Sequence, residues 1–110
     1  MSVSMFVVNP ATDFEKKLHV PVATEEVYKR FWIPKATSLK AHFTLRFGIG
    51  IEIGAQEAPR VRNELSQLHA EFQKNPVTEQ QVHITQRIER LIDELDKVYK
   101  ENPQARVFIG

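Results

Sequence analysis

The sequence predicts an α+β domain: one mostly antiparallel sheet with helices packed on one face, in the order β-α-β-β-α-α-β. Three observations predict it. Apolar and polar residues alternate strictly through residues 39–47. Two later stretches repeat apolar residues at helical spacing. Short β-branched runs stand near both ends of the chain. Strands with one dry face alternate at period two, and helices with one apolar stripe repeat at 3.6, so the economical packing sets the stripes against the dry face.

The elements follow in order. Residues 3–8 are short, apolar and β-branched, and Asn9 and Pro10 stop them, as a first strand requires. Residues 9–23 contain Pro10, Asp13 and Pro21 and read as a loop, with room for a short extended piece around 18–22. Thr24 is a good helix N-cap, and Glu25 and Glu26 complement the positive end of the helix dipole. Val27 and Phe31 share a helix face, as do Tyr28 and Trp32. Pro34 is expected to end this helix, because the residue before proline avoids the α region, giving a helix over about 24–33.

Next comes the alternating segment. Leu39, Ala41, Phe43, Leu45 and Phe47 fall on one side, and Lys40, His42, Thr44 and Arg46 on the other. Gly48 and Gly50 interrupt it before Ile51, Glu52 and Ile53 resume the alternation. A hairpin turning near 48–50 is the preferred expectation, and one long strand with a bulge the alternative. Pro59 suits the first turn of a second helix. Val61, Leu65, Leu68 and Phe72 form its stripe, and Asn75 and Pro76 close it. Thr78 and Gln81 form a capping-box pattern. The third helix, about 23 residues long, follows with Ile84, Ile88, Leu91, Leu95 and Val98 in line, flanked by Ile92 and Tyr99. It stops at Asn102 and Pro103, and a last strand covers residues 106–109.

The 110 residues match the size of one domain, here 1–110. The chain lacks cysteine, which removes disulfides and thiolate metal sites and fits a reducing cytoplasm. The first apolar run is short and has no Lys or Arg before it, unlike a secretory leader. No stretch reaches the roughly 20 apolar residues of a membrane helix. A cytoplasmic protein is expected. A net charge of +1 lacks the basic excess of a protein that grips phosphates, so no direct nucleic-acid contact is expected.

Candidate chemistry is sparse. His19, His42, His69 and His83 have no ligand spacing between them, and no metal or cofactor is expected. Gly48, Gly50 and Gly54 miss the dinucleotide fingerprint by one position and suit a hairpin or bulge better. No catalytic residue is assigned, and no enzymatic activity is expected.

Two clusters are candidates for partner binding. Glu89, Asp93 and Asp96 lie at i, i+4 and i+7 on the third helix, away from its apolar stripe. They would serve as a docking strip for a basic partner, or as a solvated face held by the i,i+4 pairs Asp93–Lys97 and Asp96–Lys100. Residues 28–34 interleave basic and aromatic side chains. There Trp32 would anchor the core or reach an interface.

Two stretches carry a family resemblance. The first is Phe31, Trp32, Ile33 and Pro34, followed by the alternating segment, the Gly-Ile-Glu-Ile of 50–53 and the helix containing Asn63 to Leu68. The second is the run from Arg87 to Leu95, continuing to the terminal Arg106, Val107, Phe108, Ile109 and Gly110. This layout resembles small bacterial immunity proteins of polymorphic and contact-dependent growth inhibition toxin systems. The resemblance implies a cytoplasmic, non-catalytic protein that neutralises one cognate toxin domain by stoichiometric occlusion. It implies partner-binding rather than catalytic residues, with Glu89, Asp93, Asp96 and Trp32 as the candidates. Competing classes are a small RNA-binding or regulatory module using Lys29, Arg30, Trp32, Lys40 and Arg46, a small enzyme with scattered polar groups, and a homo-oligomer such as a homodimer.

Overall fold

The computed structural model describes residues 2–74 and 78–110. The chain runs through β1 (Ser2–Val8), α1 (Asp13–Lys17), β2 (Val20–Thr24), a long composite helix α2 and a 3-10 turn (Thr44–Arg46). It continues through β3 (Ile51–Ile53), α3 (Ala58–Phe72), α4 (Glu79–Glu101) and β4 (Arg106–Ile109). Helix α2 is built from three consecutive pieces: Glu25–Val27, a π turn at Tyr28–Trp32, and Ile33–Leu39.

The four strands form one antiparallel sheet in the order β2-β1-β4-β3, so the first and last strands of the chain lie side by side at its centre. Phe6 pairs with Phe108 and Val7 with Val107. This is the α+β class with helices on one sheet face that the hydrophobic patterning predicts. Val3, Met5, Val7, Val20, Val22, Ile53, Val107 and Ile109 turn to that face. Against them pack Val61, Leu65, Leu68 and Phe72 of α3, and Ile84, Ile88, Leu91, Leu95 and Val98 of α4. The stripes of both long helices are therefore the core, which is where most of their stability arises.

Caps set the element ends. Thr24 Oγ1 accepts from the Val27 N–H. Thr78 and Gln81 make the reciprocal capping box that opens α4. A second box, Thr12 with Glu15, opens the short α1. Glu15 is buried, and its carboxylate also accepts from the Ala11 N–H and from the Asn102 amide at the end of α4. The expected stop of the second helix at Asn75 and Pro76 lies outside the described residues.

The middle of the chain departs from expectation, and the physical reasons are visible. The 18–22 piece forms most of β2, an edge strand that admits Pro21 because its outer side needs no ladder donor. Arg87 Nη1 donates to the Pro21 carbonyl at 3.3 Å, partly covering that edge. Pro34 does not end α2. The π turn just before it closes the Ile33 N–H on the Tyr28 carbonyl. Its wider winding eases the clash that a proline ring makes with the carbonyl four residues back. The helix continues to Leu39 and ends at Lys40, whose φ is 57°. The Ala41 N–H then reaches back to the Ala36 carbonyl at 2.8 Å, a left-handed helix cap.

Residues 39–47 are therefore a helix end and a helical turn instead of a strand. Leu45, Arg46 and Phe47 donate to carbonyls three or four residues back. Burial still follows the alternation at most positions, with Lys40, His42 and Arg46 exposed and Ala41 and Phe47 buried, but Thr44 breaks it by being fully buried while Leu45 is only half so. Glu64 of α3 fixes the turn. Its carboxylate accepts from the Phe43 N–H at 3.2 Å, the Thr44 N–H at 2.9 Å and the Thr44 hydroxyl at 3.0 Å. Tyr28 donates to the Thr44 carbonyl at 2.6 Å from the other side. Gly50, with φ 97°, leads into β3, and a Cβ there would lie 2.4 Å from the Phe108 ring. Residues 48–50 thus join a 3-10 turn to a strand and form neither hairpin nor bulge.

Candidate partner-binding site

Glu89, Asp93 and Asp96 all project from α4 along its seam with α3, and all are exposed. Their expected partners on α4 are not the ones they have. Asp96 takes Arg62 of α3, whose Nε lies 3.1 Å from both carboxylate oxygens. Lys97 pairs instead with Glu94 at 3.6 Å. Glu89 Oε2 lies 2.9 Å from His69 Nε2 of α3. Asp93 stands between these two cross-helix pairs and makes no ion pair among the described residues.

The seam is a shaped surface. Ser66, His69, Glu89, Ile92 and Asp93 line a shallow groove of about 290 Å³. Half-buried Ile92 supplies its apolar centre, and the polar groups form the rim. A second, separate groove of about 400 Å³ is lined by Pro59, Leu95 and Tyr99, with Arg62, Asp96 and Lys100 around it. Tyr99 is fixed there by a 2.6 Å hydrogen bond to the Ile53 carbonyl, and burial pushes its phenol up to about 12.

Trp32, expected either in the core or at an interface, is a core residue and offers no surface to a partner. It is fully buried, with its ring centroid 6.4 Å from those of both Tyr28 and Phe47. The interleaved segment sorts itself by side. Tyr28 and Trp32 go inward, while Lys29 and Arg30 go outward, to Glu25 and to the Phe31 ring. The stacking platform that an RNA-binding use of Trp32 would need is absent there.

The sheet carries a surface that the patterning left unassigned. On the side away from the helices, Phe6 and Phe108 face solvent, with centroids 5.3 Å apart. Arg106 and Glu52 stand next to them, joined at 2.8 Å. The one sequence signal was parity: Phe6 shares its side of the strand with Ser4, and Phe108 with Arg106.

Among the described residues, no group of three or more His, Cys, Asp or Glu could hold a metal ion. No described helix is long and apolar enough to cross a membrane. Comparisons with protein families, with curated proteins and with solved structures found no match.

Proposed function

We propose that this protein is a cytoplasmic immunity protein that binds a cognate bacterial toxin domain one to one and holds it inactive by occlusion. The observation that carries the proposal is the α3–α4 seam, where half-buried Ile92 sits within a rim of Ser66, His69, Glu89 and Asp93. Tight interfaces concentrate their energy in an apolar centre ringed by polar contacts that exclude water. A basic or amphipathic anchor from the toxin, such as an arginine, would lay its stem on Ile92 and its charge against Asp93 and Glu89. The Glu89–His69 and Asp96–Arg62 pairs do not block this. Exposed pairs of this kind contribute only about 0–1 kcal/mol and can be exchanged for a partner's charges.

Surface plasmon resonance at two salt concentrations, against the toxin domain encoded beside this chain, tests the proposal. Replacing Asp93 and Asp96 together by Lys should weaken binding by about tenfold or more, chiefly through association and with less salt sensitivity remaining. Lys16→Ala and Lys17→Ala, far along the chain in α1, should leave affinity unchanged. Unaltered affinity in the reversed variant would remove the seam as the docking site. Failure of the wild-type protein to bind would remove the immunity role.

A further inference from the structure

A small cavity of about 120 Å³ sits at the corner where α4, the edge strand β2 and the start of α2 meet. It shares no lining residue with either groove of the α3–α4 seam. Val22 and Ile84, both buried, form its floor, and half-buried Ala23 and Val27 its walls. Among the described residues, no aromatic ring and no Asp or Glu lines it. The polar side chains around it belong to Ser2, Thr24, His83 and Arg87, and all of them carry hydrogen-bond donors. His83 and Arg87, four residues apart, share the face of α4 that closes one side.

Arg87 decides what the cavity fits. It is half-buried, and its Nη1 donates to the Pro21 carbonyl at 3.3 Å, which commits one of its five N–H donors. It makes no ion pair among the described residues. A guanidinium partly withdrawn from water attracts a carboxylate more strongly than one on the open surface, and its planar fork can hold that carboxylate in two parallel bonds. An apolar cavity of ~150 Å³ takes benzene, so 120 Å³ has room for about four carbon atoms. The wholly aliphatic lining suits a branched body better than a ring. We propose that this cavity binds a carboxylate carried on a branched aliphatic body of about four carbons, with the body against Val22 and Ile84 and the carboxylate on Arg87. A free short-chain acid and the C-terminus of a polypeptide ending in valine both offer this chemistry.

Titration with isovalerate, followed through the amide NMR signals, tests this. The signals of Val22, Ala23, Ile84 and Arg87 should move together, with a dissociation constant of about a millimolar, as suits a ligand of so few atoms. Isovaleramide has the same body without the charge, and acetate has the charge almost without the body. Each should bind about tenfold more weakly, or worse. Arg87→Gln should weaken isovalerate binding by about tenfold, and Ala23→Val, which adds bulk to the cavity wall and suits a strand, should do the same. Ala23→Val leaves the bond between Arg87 and Pro21 in place, so the test stands even where Arg87→Gln loosens the β2 edge. A tripeptide ending in valine reads the source: binding tighter than isovalerate assigns the site to a chain terminus, and weaker binding to a free acid. No movement of these signals in a large excess of isovalerate would overturn the proposal, as would equal binding of isovaleramide or an affinity indifferent to both variants. None of these results bears on the seam, which the Asp93 and Asp96 variants test separately.

Discussion

Replacing Glu64 by Ala should destabilise the protein by about 2–4 kcal/mol. Three hydrogen bonds converge on its carboxylate, from the Phe43 N–H, the Thr44 N–H and the Thr44 hydroxyl. Hydrogen bonds to a charged group contribute roughly 1.5–3 kcal/mol each, but the full sum does not apply here. Phe43 is half-buried, so its N–H can take a water molecule at little cost. Thr44 is fully buried, and its N–H would be left without a partner, a penalty of about 1–3 kcal/mol. Its hydroxyl can rotate and recover part of the loss. Alanine is also the better helix former, returning a few tenths of a kcal/mol on α3. Glu64→Gln keeps an acceptor oxygen but turns an NH₂ toward the Phe43 N–H, and should cost about 1–2 kcal/mol. Urea melts give both values, with Gln67→Ala, exposed on the same helix, expected within about 0.5 kcal/mol of wild type. A Glu64→Ala midpoint equal to that of Gln67→Ala would refute the view that this carboxylate holds residues 41–47 in a helical turn.

Three further outcomes follow from the same structure. Leu91→Ala, at a fully buried position on the α4 stripe, should cost about 2–5 kcal/mol in denaturant melts, and a loss under about 0.5 kcal/mol would contradict the packing. The hydrogen bonds from the Ala11 N–H, the Asn102 amide and the Thr12 N–H hold the Glu15 carboxyl below the usual carboxylate range. A depressed folded value means its contribution is complete above the ordinary unfolded value of ~4.3 and is lost as pH falls below it, so Glu15→Gln should flatten acid unfolding curves in that window. Burial holds Tyr99 at about 12 and also raises Tyr28, so phenolate absorbance should stay low to well above the ordinary ~10, and stability should fall as pH rises past that value.

Much of the fold was legible because the patterns that drive it are local and periodic. The α3 and α4 stripes, the Thr78–Gln81 box, and the runs that became β1 and β4 each announce themselves within a few residues. What failed turned on contacts distant in sequence. The alternation over 39–47 is the pattern of a strand, yet Glu64, some twenty residues on, supplies acceptors that favour a turn. Pro34 reads as a helix stop unless a π turn precedes it, and nothing local announces that turn. Local spacing leaves Trp32 free to face either side, and it is the distant Phe47 ring, packed against it, that takes it inward. The acidic strip was legible as spacing, but its cross-helix partners Arg62 and His69 follow only from how α3 lies against α4. Phe6 and Phe108 meet across the two ends of the chain, so their shared face could not be read from either strand alone.

The most direct measurement of the proposed function is an inhibition titration. The activity of a candidate toxin domain, taken from a reading frame neighbouring that of this chain, is followed while the wild-type protein is added in steps, at concentrations well above the dissociation constant the proposal requires. Stoichiometric occlusion predicts a straight decline to zero with a sharp end point at one equivalent. Activity that persists unchanged in a large excess of the protein would contradict it.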